Sequence, residues 1–261
     1  MASLFTLMPA GTGPIPLERL EAAAETEDVL VDCLVDEELF WLRGEGDPDP
    51  FYDEPYLSTL SPESRAASLD SGMRVLIAKG MVDVDPDEPD SFEVLGVYGL
   101  LASCREDAQS VTRATLDIPG EPVTRFAFHR ISENLVLVEE VSADGFHDFT
   151  FQSLDSAAAG LSSIFDRRRV AGTESGAHLR GADVELLDPG PSALQATASY
   201  TVSVTGPFGA TLTVFGVDDG VWASWQDDDG MHAVARAGSP DLFVLAADAI
   251  SGRLPSSDSP A

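Results

Sequence analysis

The run from Val111 to Ser153 constrains the fold more than any other part of the chain. "VTRATLDI" alternates apolar and polar residues, "PGEP" turns, "VTRFAFHRI" alternates, "SEN" turns, "LVLVEEV" runs on, "SADG" turns and "FHDFTFQS" alternates. Alternation with a period of two puts every second side chain on one face. Each segment therefore fits a strand, and the short links fit hairpins. "LDSAAAGLSSIF" follows as a helix, with Ser153 or Asp155 as its cap. The same grammar then returns in "SYTVSVT", "GPFG", "ATLTVFGV", "DDG", "VWASWQ", "DDG" and "MHAVARAG". It closes on "SPDLFVLAADAIS", where Ser239, Pro240 and Asp241 suit the N-cap, first and second helical positions.

The expected fold class is α+β, with antiparallel sheets built from two tandem ββββα repeats in pseudo-two-fold symmetry, plus N-terminal helices. One repeat alone would leave a sheet face bare, and pairing two covers it. The expected divisions are an N-terminal helical portion packed on the first repeat (1–110), the first repeat (111–166), a connector (167–197), the second repeat (198–251) and a disordered tail (252–261).

Before the repeats, "PLERLEAAAE" reads as a helix. In "DVLVDCLVDEELFWLR", Leu30, Leu34 and Glu38 share a helical spacing, while Val29, Val31 and Cys33 fit a strand, and periodicity leaves both readings open. "SPESRAASLDSGMRVLIAKG" is the clearest helix, with Ser61 as N-cap, Pro62 at the first position and Gly80 as the left-handed stop. Its apolar face is expected at Leu69, Met73, Leu76 and Ile77. "DVDPDEPD" is then an acidic loop, and Ser91–Glu106 a second amphipathic helix.

The end of that first helix, "AKG" with an apolar pair and an Asp, is reminiscent of a winged-helix DNA reader. Charge argues against it. The 261 residues carry 45 Asp and Glu against 15 Lys and Arg, a formal net charge of -30. Such a chain repels phosphate backbones and anionic membranes, so no nucleic acid is expected as partner. Two packed helices with an acidic connector is the simpler expectation. No apolar run is long enough to cross a bilayer, and no basic leader precedes an apolar stretch. Membrane insertion is therefore not expected, and the cytoplasm is the expected compartment.

Signals for chemistry are weak. Asp83, Asp85 and Asp87 match the first calcium-loop positions, but Glu88 stands where Gly is needed and Val94 where a bidentate Glu is needed. Cys33 and Cys104 have no ligand spacing and read as two small buried hydrophobes. His129, His147, His178 and His232 form no metal motif. His147 and Asp148 are strand neighbours on opposite faces and cannot form a dyad. "GTESG" has its Ser one place late for a nucleophile elbow. No catalytic residue, cofactor or metal is assigned, and the chain is not expected to be an enzyme. Phe126 with Phe128, and Phe149 with Phe151, share strand faces and read as core. Three aromatics remain as candidate protein-binding anchors: Phe208 at the tip of "GPFG", and Trp222 and Trp225, which face opposite sides of one strand.

A segment "EELFWLRGEG" precedes a capped helix ending in "LIAKGMVDVD"; "FEVLGVYGLLASC" follows, then a meander closing on a helix, then a second meander. In this order, over roughly residues 30–251, the chain resembles the EspG family of ESX (type VII) secretion-associated chaperones of actinobacteria. The resemblance implies two sheet-containing halves and a cytosolic, non-enzymatic protein that holds a PE–PPE-like heterodimer, or a comparable export substrate, in solution. The family has additional helices between its halves and is less acidic, and no binding residue carries over by motif. The alternative is an acidic immunity-type protein that neutralises a basic toxin, distinguished by a partner whose affinity falls steeply with salt.

Overall fold

The computed structural model describes residues 2–3, 16–42, 54–84, 87, 91–174, 176, 178–180, 191–218, 220–226 and 232–254. Contacts divide it into two bodies: Met1–Ala108 with Leu137–Gln152, and Gln109–Val136 with Ser153–Ala261. Among the described residues the order is β1 (Ala2–Ser3), α1 (Leu17–Ala24), β2 (Val29–Val35), α2 (Asp36–Leu42), α3 (Pro62–Lys79), β3 (Val82–Val84), β4 (Phe92–Val94) and α4 (Gly96–Glu106). Then come β5 (Ser110–Asp117), β6 (Thr124–Arg130), β7 (Leu135–Val141), β8 (Phe146–Ser153) and α5 (Leu154–Phe165). After β9 (His178–Arg180) and α6 (Pro191–Thr197) follow β10 (Tyr200–Thr205), β11 (Thr211–Val217), β12 (Gly220–Gln226), β13 (His232–Ala237) and α7 (Ser239–Ile250). The fold is α+β, and the ββββα sequence occurs twice along the chain, as the alternation and turn residues require.

In the first body the strands lie in the order β1-β2-β8-β7. β1 runs parallel to β2, and β2 pairs antiparallel with β8 across a bulge between Leu30 and Cys33. The stretch that periodicity left open is both things in turn: a strand to Val35 and a helix from Asp36. α2 packs closely on α3, where a Cβ at Gly72 would stand 2.7 Å from that of Glu37. Trp41 Nε1 donates to the Leu69 carbonyl at 2.8 Å and Ser68 Oγ to Glu37 Oε1 at 2.6 Å. α3 has the expected ends: Ser61 Oγ accepts from the Ser64 amide, and Gly80 is left-handed at φ 67°. Its buried face differs from the expectation. Gly72 and Leu76 are buried, whereas Ile77 is 48% exposed, because the close approach to Glu37 sets which side meets α2.

Ser91–Glu106 is not one helix. Phe92–Val94 pairs antiparallel with Val82–Val84, and the helix begins only at Gly96, whose φ of 56° turns the chain. The winged-helix look of the sequence is thus a real two-stranded hairpin with acidic residues, rather than two helices and a connector. Asp83, the first residue of the calcium-loop reading, lies in a strand opposite Glu93.

In the second body the order is β6-β5-β10-β11-β12-β13-β9. The leading strands of the two repeats pair antiparallel, from Thr201 opposite Asp117 to Thr205 opposite Arg113. Thr112, Ala114 and Leu116 of β5 and Tyr200, Val202 and Val204 of β10 are all buried. The closing helices α5 and α7 pack on each other, burying Ala157, Ala158, Leu161 and Phe165 from one and Leu242, Ala246, Ala249 and Ile250 from the other. Thr112 Oγ1 satisfies the Ala249 carbonyl at 2.7 Å, and Tyr200 OH the Phe165 carbonyl at 2.8 Å. Gly216 is where the Tyr200 ring lies: a Cβ there would be 1.9 Å from its Cε1. The N-cap of α7 is Gly238, one residue before the expected Ser239, because Asp241 accepts from the Gly238 amide at 2.8 Å. The connector holds a short helix and a strand that the sequence did not announce. Of the tail, Gly252 and Arg253 return their amides to α7, and 255–261 lies outside the described residues.

Candidate functional site

The most unusual chemistry lies in the first body, among residues the sequence reading left unassigned. β7 buries Leu137, Glu139 and Val141 on one face, and β8 buries His147, Phe149 and Phe151. A carboxylate and an imidazole therefore stand in the phase of the apolar stripe. The third member, Asp36, opens α2 directly after β2 and is buried.

These groups form a chain of contacts. His147 Nε2 lies 2.7 Å from Asp36 Oδ1, and His147 Nδ1 lies 2.7 Å from Glu139 Oε1. Arg105 Nη2, from the last turn of α4, donates to the same Glu139 oxygen at 3.1 Å. The Arg105 guanidinium also lies over the Phe149 ring at 5.7 Å, a favourable placement for a cation against a ring face. The outer oxygen of Asp36 accepts the backbone amides of Tyr56 at 2.8 Å and Leu57 at 2.9 Å, which holds the start of a single 3-10 turn, Leu57–Thr59. The Asp36 amide donates to the Gly145 carbonyl at 3.0 Å. Gly145 has a φ of 78°, and a Cβ there would stand 2.9 Å from the Asp36 carboxyl carbon and 2.7 Å from the Tyr56 Cβ, so only glycine fits the turn.

Buried charges persist only when paired. Burial alone works against charging the imidazole, but its hydrogen bonds to Asp36 and Glu139, and their charges, outweigh that and raise the His147 pKa above the ordinary value. With His147 protonated, two carboxylates face an imidazolium and a guanidinium, and the formal charges cancel. The arrangement fixes backbone; it does not present a nucleophile. Nearby, Glu38 of α2 accepts from the Val35 amide at 3.2 Å and pairs with Lys79, the chain's single lysine. Tyr98 OH donates to Asp32 at 2.7 Å, and burial followed by that contact pushes the phenol up. Cys33 is exposed, unlike the expectation, while Cys104 is buried. Burial first, then hydrogen bonding to Asp148, pushes the Cys33 thiol up to about 11, which makes it a poor nucleophile at neutral pH. Among the described residues, no group of three His, Cys, Asp or Glu is placed to hold a metal.

The aromatics proposed from sequence lie in the second body. Trp225 is 5% exposed and stands opposite Leu212 of β11. Trp222 is half-buried and packs against the cluster of Leu194, Phe215, Val217 and Val234. Phe208 sits in the 3-10 turn Pro207–Gly209, and its side chain lies outside the described residues. Phe128, Phe149 and Phe151 are core, and Phe126 is half-buried. Exposed apolar side chains include Phe243 and Val244 on α7, Val75 and Ile77 on α3, and Phe146 at the start of β8. Among the described residues, no helix is long and apolar enough to cross a membrane.

The chain is thus an α+β protein in which a ββββα run occurs twice, with a buried ionic relay in its first body. No protein-family model matches its sequence, and no curated protein does. Among solved structures, it is similar to the Mycobacterium tuberculosis type VII secretion system chaperone EspG5, in complex with a PE25–PPE41 dimer. The likeness covers 88% of this chain and 97% of that one at 15% identity, with a TM-score of 0.47.

Proposed function

We propose that this chain is a secretion-associated chaperone of the EspG kind. It binds a helical export substrate of an ESX (type VII) system, such as a PE–PPE-like heterodimer, and keeps it soluble in the cytoplasm. The observation that carries the reading is the doubled meander. Two ββββα runs follow one another, their leading strands pair antiparallel, and their closing helices pack together. That is the outline implied by the resemblance in "LIAKGMVDVD" and "FEVLGVYGLLASC". A pseudo-two-fold relation between the repeats belongs to the proposal, and antiparallel pairing of equivalent strands is the local geometry such an axis needs.

The charge suits this role. A carrier at -30 repels its own copies and stays dispersed while it covers an apolar client surface. Phe208 and the accessible edge of Trp222 are the aromatic contacts assigned to the client, while Trp225 serves the interior.

The test is affinity purification of the tagged full chain from its native host at low salt, with mass spectrometry of what co-elutes. A small helical pair of export-type sequence is the expected partner. Co-expression should then bring that pair, insoluble alone, into the soluble fraction. A basic enzyme whose activity the chain stops, bound with steep salt dependence, would replace the chaperone with the immunity reading. Elution of the chain alone, with no rescue of any PE–PPE-like pair, would sink the proposal.

A further inference from the structure

A neutral imidazole has one N–H donor and one acceptor. Yet both ring nitrogens of His147 face carboxylate oxygens at 2.7 Å, from β7 on one side and α2 on the other. Two carboxylate acceptors need two N–H donors, which only the protonated ring supplies. The charged groups facing the ring are Asp36, Glu139 and, through Glu139, Arg105. His147 has 2% of its side chain exposed, so water is a poor substitute for a lost partner.

Asp36 passes this on. One of its oxygens meets the imidazole, and the other holds the amides of Tyr56 and Leu57. The segment is also tied through Glu54, which pairs with Arg65, and through the Leu57 carbonyl, which Arg65 reaches at 3.4 Å. Tyr56 is 39% exposed and Phe146, next to the histidine, 50%. Movement here changes surface as well as core.

We propose that Arg105, Glu139, His147 and Asp36 form a proton-operated latch on Tyr56 and Leu57: the protonated ring holds both carboxylates in place, and loss of its proton releases the segment. When the ring becomes neutral, one buried carboxylate loses its donor. Glu139 keeps Arg105, so Asp36 is the carboxylate left facing the ring without a donor, and its turning away from the ring removes the acceptor of both amides. The latch is therefore closed at acidic and neutral pH and opens as pH rises through the His147 titration. This inference stands independently of the client proposed above.

The experiment uses the full chain with 15N in its histidine rings, observed by NMR through a pH titration. The H147Q variant identifies the His147 signals by their loss. If that variant does not fold, single H129Q, H178Q and H232Q variants identify the other three sets instead. Backbone hydrogen exchange is followed in the same pH range. The expected result is a doubly protonated His147 ring at pH 7. As the ring titrates, exchange at the Tyr56 and Leu57 amides, corrected for the intrinsic effect of pH, should accelerate by about tenfold for each unit that separates the folded pKa from the free one. A neutral ring at pH 7, with the proton residing on a carboxylate, would overturn the latch. So would a charged ring whose titration leaves exchange at both amides unchanged.

Discussion

Asp36→Asn is the sharpest probe of the relay, because it changes charge while keeping shape. In the native protein one Asp36 oxygen accepts two backbone amides and the other meets His147 Nε2 at 2.7 Å. An asparagine can keep the two backbone bonds only by turning its oxygen toward Tyr56 and Leu57. Its NH2 group then points at His147, and a protonated ring would oppose it donor to donor. The ring must become neutral and accept. The sign follows from linkage. The native His147, with its raised pKa, contributes stability that is full below the unfolded value of about 6.5 and fades as pH rises through the folded value. In the variant the buried ring is neutral, so the variant loses stability as pH falls. The cost of D36N should therefore grow toward acid. Breaking one side of a buried ion pair costs about 3–5 kcal/mol. The retained backbone bonds and one new neutral hydrogen bond offset about 1–2 kcal/mol of that. The net is about 3 kcal/mol near pH 5.5, shrinking to about 1 kcal/mol above the titration. Urea unfolding followed by tryptophan fluorescence and by exchange at the Tyr56 and Leu57 amides reads both ends. A cost that is the same at pH 5.5 and pH 9, or larger at pH 9, would refute the reasoning.

Gly216→Ala should destabilise by about 3 kcal/mol, because the new Cβ would fall 1.9 Å from a buried tyrosine ring. In a Tyr200→Leu background the same change should cost at least about 1 kcal/mol less, which a double-mutant cycle by urea unfolding measures. Asp83 and Glu93 stand directly opposite at exposed positions of two paired strands, so Glu93→Lys should stabilise by about 0.2–1 kcal/mol in low salt, and the gain should fall as salt is added. Cys33, exposed but with its thiol pushed up to about 11, should react slowly with a disulfide reagent at pH 7.5 and faster as pH rises toward that value. Cys104 should react only on unfolding, as timed by absorbance with and without denaturant.

What sequence could and could not show follows from the range of the forces involved. The two repeats were legible because each strand meets the apolar interior on one side, and alternation records that locally. Val29–Leu42 was ambiguous because a strand and a helix adjoin with no breaker between them. The junction is made by Asp36 and by Glu38, which accepts from Val35, and a sliding window averages across it. Ser91–Glu106 reads as one helix because its apolar spacing runs on, whereas Phe92–Val94 finds a strand partner in Val82–Val84 and the helix starts only at Gly96, where φ is 56°. Ile77 lies off the buried face because that face of α3 is set by the close approach of Gly72 to Glu37, 35 positions earlier in the chain. The relay was hidden for a stronger reason. Asp36 and His147 are 111 residues apart, and any pairing among 45 acids looks like chance. One signal was nonetheless present. Glu139 and His147 occupy the phase of Leu137, Val141, Phe149 and Phe151, whereas Glu140 and Asp148, one step along, are exposed. A strand admits an ionisable side chain into its buried phase only if a partner of opposite charge arrives from elsewhere. Two such intrusions on consecutive strands therefore imply each other, and the excess of acid requires a cation to join them, which is the place Arg105 fills.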